Sequence, residues 1–332
     1  MANDAGKFRR TLRRAGLDNS AIDAAWPAWW TNDATTSPSA FAELKFSLAR
    51  KLGLDPRSLV DDGEPRFVWK DDAKFKGLAA NEDVQRAAIE SFAMALSKSV
   101  MPALSQREFE IVGLDAIQLR KAVLANSPHV GLMDLVAMCW SAGIPVMHLR
   151  VFPLSAKRMC AMSVKIRDQY FILLSKDAEY PAPIAFYLAH ELGHIVLDHF
   201  GEQSAIVDMA DTILDRNTVD NEELEADRFA MQLLTGREVL EVDSGRVKPN
   251  ALQLAEHVSS ISKEVRIEPG TLALCFGYTT GDWAISTAAL RHIYKKKLPV
   301  WSQVNGFARS QFDWDALTDD TASYVSAVLG GL

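Results

Sequence analysis

Three residues in one short stretch could do chemistry together: His190, Glu191 and His194. They lie in Ile184-Ala-Phe-Tyr-Leu-Ala-His-Glu-Leu-Gly-His-Ile-Val-Leu-Asp-His199, an apolar run preceded by Pro183. Proline suits a first helical turn, where its missing N–H costs nothing. Residues four apart on a helix share one face about a turn from each other, so the two imidazoles can converge on one tetrahedral zinc ion. Glu191 then stands beside the metal, where a carboxylate acts as general base toward a water acidified by zinc. Two imidazoles and a carboxylate on an otherwise apolar helix are costly to bury without a common partner. That cost argues for a metal centre over histidines satisfied singly by backbone carbonyls.

A third ligand is needed. Gly and His three and six residues after His194 would mark a metzincin, but Leu197 and Phe200 stand there, which excludes that class. His199, five residues on, is expected to point away from the metal as a cation at the helix end. The stretch Asn221-Glu-Glu-Leu-Glu-Ala-Asp-Arg-Phe-Ala-Met-Gln-Leu-Leu234 is a better source. It reads as an amphipathic helix with Ala226, Phe229, Ala230, Leu233 and Leu234 inside and Asn221, Glu225, Arg228 and Gln232 on the wet side. Glu223 and Asp227 are four apart at the edge of the buried stripe, so Glu223 can ligate while Asp227 accepts the second N–H of a ligand histidine. Glu222 is also compatible with the buried side, but four residues on it has Ala226. Glu223 is therefore the expected third ligand and Asp227 its supporting neighbour.

The elements that must position these residues are legible in outline. Apolar runs at residues 144–152, 159–166 and 170–174 read as strands ahead of the zinc-binding helix, and residues 130–142 read as a helix ending at Gly143. The order is helix, strands, helix. Residues 1–75 read as a helical unit, basic at Lys7, Arg9, Arg10, Arg13 and Arg14, with a polar break at 31–39 and a second helix closed by Gly53. The end of that unit resembles the later helices of helix-turn-helix domains of the phage-repressor type. A polar stretch at 244–250 separates a third, helical region. The expected division is 1–75, a core at 76–245, and 246–332.

Composition bounds the reading. With 332 residues, 48% of them apolar and 24% charged, the chain can bury sizeable cores and is not disordered. A net charge of −7 excludes a surface that is cationic throughout, of the kind that grips nucleic acid without specificity. No apolar run is long enough for a signal peptide or a membrane span, and three cysteines, at 139, 160 and 275, do not suit a secreted disulfide framework. A cytoplasmic location with no membrane partner is the expectation.

Cys139-Trp-Ser-Ala-Gly-Ile-Pro-Val146, Leu188-Ala-His-Glu-Leu-Gly-His-Ile-Val-Leu-Asp-His199 and Glu223-Leu-Glu-Ala-Asp-Arg-Phe-Ala230 together resemble the ImmA/IrrE family of metallo-endopeptidases, over about residues 117–236. The resemblance implies an α+β, mainly helical fold: a zincin-like peptidase core with a small sheet, flanked by helical N- and C-terminal regions. It implies zinc on His190, His194 and Glu223 with Glu191 catalytic. It also implies a protein substrate, a helix-turn-helix repressor of stress, defence or mobile-element genes. Single-stranded DNA is an expected activator, for which the Lys7–Arg14 cluster and Arg291-His-Ile-Tyr-Lys-Lys-Lys297 offer cations around an aromatic ring. The competing reading is a DNA-binding regulator with a structural or vestigial metal site. A switch of this kind needs an off state, and Cys160 is the expected reversible fourth ligand. It follows Lys157 and Arg158, which favour the thiolate, at the start of a strand, whereas Cys139 and Cys275 read as core. Against this, Cys160, Met162 and Val164 alternate as a buried sheet face would.

Overall fold

A computed structural model of the chain describes residues 5–60, 63–70, 73–76, 83–105, 111–155, 159–208, 221–239, 248–297 and 299–331. Four helices come first: α1 (Ala5–Arg14), α2 (Asn19–Ala25), α3 (Pro38–Leu52) and α4 (Pro56–Val60). Local chemistry sets their ends. The Asp18 carboxylate accepts the Ser20 N–H to start α2, the Ser37 hydroxyl caps α3, and Gly53 ends α3 with φ +69°. A Cβ at Gly53 would also come within 2.3 Å of the Ser91 carbonyl oxygen, so this glycine serves close packing as well as the turn.

Next come β1 (Ala73–Lys76), α5 (Asp83–Val100), α6 (Ala116–Leu124), α7 (Leu132–Ser141), β2 (Val146–His148), β3 (Ala161–Ile166) and β4 (Gln169–Leu174). The site elements follow: α8 (Pro181–Val196), β5 (Ala205–Asp208) and α9 (Asn221–Thr235). Among the described residues the α-helices α10 (Ala251–Val265), α11 (Pro269–Thr280), α12 (Trp283–Tyr294), α13 (Val300–Gln311) and α14 (Asp319–Val328) follow. The fold is α+β and mainly helical, as the sequence led us to expect.

Among the described residues five strands form one sheet in the order β1-β5-β3-β4-β2. β3 is antiparallel to β4 and β5, while β1 lies parallel to β5 and β2 parallel to β4. Sequence reading located β3, β4 and the region of β2 but neither β1 nor β5. At four residues each, these are too short to display a period.

Alternation along the strands sorts side chains into two cores. Met162, Val164, Ala205 and Val207 face a cluster built with Leu44, Leu48, Phe92 and Val325 from the first helices, α5 and α14. Ala161, Ile172 and Ile206 face the opposite way, against Leu188, Leu192 and Ile195 of α8 and Phe229 and Leu233 of α9. A third cluster holds α10, α11 and α12 together. The first core thus crosses the division expected at residue 75, which falls inside β1; the one expected near 245 lies outside the described residues. Among the described residues no helix is long and apolar enough to cross a membrane.

Candidate metal centre

Helix α8 begins with Pro181 at its first turn and runs through Val196, with its side chains from Tyr187 to Val196 all buried. The i, i+4 spacing brings His190 and His194 onto one face, and their Nε2 atoms are 3.1 Å apart. Helix α9 crosses this face closely. A Cβ on Gly193 would meet the Ala226 Cα and the Phe229 ring at 3.2 Å, so the glycine between the histidines sets the helix separation.

That approach delivers Glu223. Its carboxylate spans both rings, with Oε2 3.4 Å from His190 Nε2 and Oε1 3.5 Å from His194 Nε2. Asp227, one turn on, lies behind His190, its Oδ1 2.8 Å from Nδ1. With the proton on Nδ1, Asp227 accepts it and leaves the Nε2 lone pair directed into the cluster. Glu222 takes another role: Lys74 of β1 donates to both its oxygens at 2.8 and 3.0 Å, and to the His199 carbonyl.

His199 lies beyond the end of α8, after Asp198 with φ +55°. Because the helix has ended, the five-residue spacing no longer carries the ring away. Its Nδ1 lies 2.9 Å from Nδ1 of His194, and its Nε2 lies 3.1 Å from Glu225 Oε2. One set of tautomers satisfies this chain with Nε2 of His194 free for a metal: His194 Nδ1–H donates to His199, and His199 Nε2–H donates to Glu225. His199 was expected to point away from the metal as a cation at the helix end; its ring instead turns back toward His194. Its position behind His194 was not foreseen.

Two further groups come from the sheet. Ser163 pairs with Ile206, and Ala161 with Asp208, in the β3–β5 ladder. The Ser163 hydroxyl donates to Glu191 Oε2 at 2.6 Å, and Asp208 Oδ2 lies 3.2 Å from His190 Nε2. One ligand atom each from His190, His194, Asp208 and Glu223 fits within 4.8 Å of the others. Sequence reasoning missed Ser163 and Asp208. The available signal was weak: a lone serine inside an apolar strand and an aspartate closing the short run Ala205-Ile-Val-Asp208.

Burial dominates the electrostatics. Glu191 and Asp208 are both pushed above the ordinary carboxylate range, first by burial; for Glu191 the Asp208 charge adds to this, while His190 and Ser163 act against it. Desolvation pulls His190 down, but Asp208, Asp227 and Glu223 outweigh it and hold the imidazole well above its usual value. So many acids around one buried ring call for a cation, either a proton on that ring or a metal ion in its place. The donor set fits a metal: two imidazole nitrogens with their far sides engaged, and carboxylates, one of which, Asp208, has no polar partner other than His190 Nε2.

Cys160 is not brought into this cluster. It precedes β3, is buried in the second core, and its N–H donates to the Asp208 carbonyl at 2.8 Å. Met162 and Val164 belong to the first core, so the expected shared face with Cys160 is not formed, and Lys157 and Arg158 lie outside the described residues. Cys139 and Cys275 are core residues, their thiols pushed up to about 12 by burial. Of the features noted for DNA, Tyr294 is engaged inside the protein, stacked on Tyr180 and donating to Glu268, and Lys297 pairs with Glu179. In α1, Arg9 pairs with Asp23 and lies over the Trp26 ring.

A mainly helical α+β protein with a buried cluster of two histidines and two acids, and a glutamate next to the first histidine, has the makings of a metallopeptidase. Residues 139–265 match the IrrE N-terminal-like domain, a peptidase family, and this match supports a relationship to that family over this segment. Every residue of the cluster lies inside the match. No curated protein matches the chain.

Proposed function

We propose that the protein is a zinc-dependent endopeptidase that cleaves a protein substrate, a helix-turn-helix repressor, and thereby relieves repression of stress, defence or mobile-element genes. The observation that carries the reading is Glu191. It is fully buried beside the histidine pair, with Oε2 held by Ser163 and Oε1 without a hydrogen-bond partner. A metal site with a purely structural role needs no such base.

His190, His194 and Glu223 would hold the ion, a nitrogen and oxygen set that suits zinc. Bound zinc supplies Lewis acidity, polarising a peptide carbonyl and acidifying the attacking water. Glu191 takes the proton of that water through Oε1 and returns it to the leaving amine. Ser163 fixes the other oxygen, so the carboxylate stays aimed. Its burial, which favours the protonated form, makes it a stronger base than an exposed glutamate. Asp227 and His199 hold the two imidazoles in the tautomer that presents Nε2.

The test is incubation of the zinc-loaded protein with repressors encoded beside its gene, the cut mapped by mass spectrometry. One cut in one repressor is expected, and Glu191→Gln should bind zinc as the wild type does while cleavage falls by roughly 10²- to 10⁴-fold. Indiscriminate cleavage of unstructured peptides would replace the regulatory role with general peptide turnover. Near wild-type cleavage by Glu191→Gln would remove the assignment of the base.

A further inference from the structure

We propose that Asp208 is a fourth protein ligand that closes the metal centre, so that the resting ion is held by His190, His194, Glu223 and Asp208, and that peptide hydrolysis requires Asp208 to leave. The inference rests on the metal centre proposed above and adds to it a resting state.

Three observations converge on this residue. The first is position. Asp208 ends β5, a strand hydrogen-bonded on both sides, with Ala161 of β3 and Lys76 of β1 as its register partners. The Cys160 N–H grips its carbonyl. Strand alternation turns Ile206 toward α8 and so turns Asp208, two residues on, the same way. The backbone is thus held and the side chain is aimed at the histidines.

The second is burial without a hydrogen-bond partner. Asp208 is 1% exposed, and apart from His190 Nε2, 3.2 Å from Oδ2, neither carboxylate oxygen has a polar partner. A buried carboxylate is ordinarily supplied with donors or neutralised, because desolvating it bare is costly. Here the adjacent polar group is His190 Nε2 at 3.2 Å, itself a ligand atom. His190 and Asp208 could together hold a divalent cation, which would satisfy both groups.

The third is stoichiometry. Four ligand atoms fit within 4.8 Å of one another, and zinc in proteins prefers four. Catalytic zinc sites use three protein ligands and leave the fourth position to water or substrate, while four protein ligands make a closed site. With Asp208 in place the fourth position is occupied, and Glu191 rests on Ser163 with no reactant before it. The off state expected of a regulatory peptidase is then supplied by a carboxylate from β5, one hydrogen bond away from Cys160 across the sheet.

The experiment loads the full-length protein with Co²⁺ in place of zinc and records its visible absorption during titration with acetohydroxamate, a small chelator that needs an open metal position. The wild type should show the strong bands of a four-coordinate ion and respond only at high probe concentration. Asp208→Ala should bind Co²⁺ on the order of 100-fold more weakly, as expected for loss of one ligand of several, and respond to the probe at least about tenfold sooner. Asp208→Asn, close in shape, keeps the test valid if the alanine variant misfolds; it should fall between the two. Cleavage of a confirmed substrate should rise in either variant once the metal is saturating. Equal Co²⁺ affinity and equal probe response in wild type and both Asp208 variants would overturn the proposal while leaving the three-ligand centre standing. Co²⁺ binding unaltered by His194→Ala would instead sink the centre itself and Asp208's role with it.

Discussion

Helices α8 and α9 meet over the same few atoms but bring chemistry there in opposite ways. In α8, 13 of 16 residues are buried, and the reactive side chains sit inside an apolar segment. In α9, 6 of 15 are buried, and its acids stand along the edge of an amphipathic helix. The difference has an energetic root. A polar group on α8 has no water to fall back on, so every one of them is engaged: His190 by Asp227, His194 by His199, and Glu191 by Ser163. Acids on α9 can remain part-solvated, as Glu225 does, and only Glu223 and Asp227 are drawn against the histidines of α8. The buried helix therefore places the two histidines, and the half-exposed helix adds Glu223 and Asp227 to the Asp208 carboxylate from β5.

Removing a buried histidine should have the largest effect. His194→Ala takes away one of four candidate ligands, roughly a quarter of the 10 to 16 kcal/mol typical of structural zinc, so zinc affinity should fall by a few hundred-fold or more in competition with a chromophoric chelator. A change of only a few-fold would mean that α8 does not set the centre. Next is the seam. Gly193→Val pushes a branched side chain into Ala226 and Phe229, and overpacking of this kind costs about 1 to 3 kcal/mol. Thermal unfolding should report that loss, and zinc affinity should fall with it, because Glu223 arrives on the displaced helix. Lower stability with unchanged affinity would separate packing from metal binding.

The acids behind the histidines should matter less, and unequally. Asp227→Ala removes a carboxylate that touches His190 directly, and a loss of about 10- to 100-fold in zinc affinity is expected. Glu225→Ala removes a carboxylate that is 56% exposed and acts only through His199, so affinity should stay within about twofold. Equal losses in the two variants would show that the relay through His199 transmits as strongly as direct contact.

The contrast between the helices also explains what could be read in advance. Helical spacing is a local property. His190, Glu191 and His194 on α8, and Glu223 with Asp227 on α9, declare their faces through a 3.6-residue repeat within a dozen residues. The inside of α9, with Ala226, Phe229, Ala230, Leu233 and Leu234 buried, was legible for the same reason. His199 was harder, because its place depends on where α8 stops; with the helix ended at Val196, a residue five positions from His194 can fold back behind it.

Sequence alone determined that two imidazoles and a glutamate share one turn of an apolar helix and that an acidic helix with an i, i+4 pair follows. Only tertiary structure decided what else meets them. Ser163 and Asp208 are 45 residues apart in number and come to one face because β3 and β5 pair antiparallel, with Ser163 opposite Ile206 and Ala161 opposite Asp208. A slip of β5 by one residue in that register would turn the Asp208 side chain to the other core. Nothing within a four-residue strand encodes its partner or its register. The packing of Met162, Val164, Ala205 and Val207 on one side and of α8 on the other selects them, and with them which carboxylate reaches the histidines.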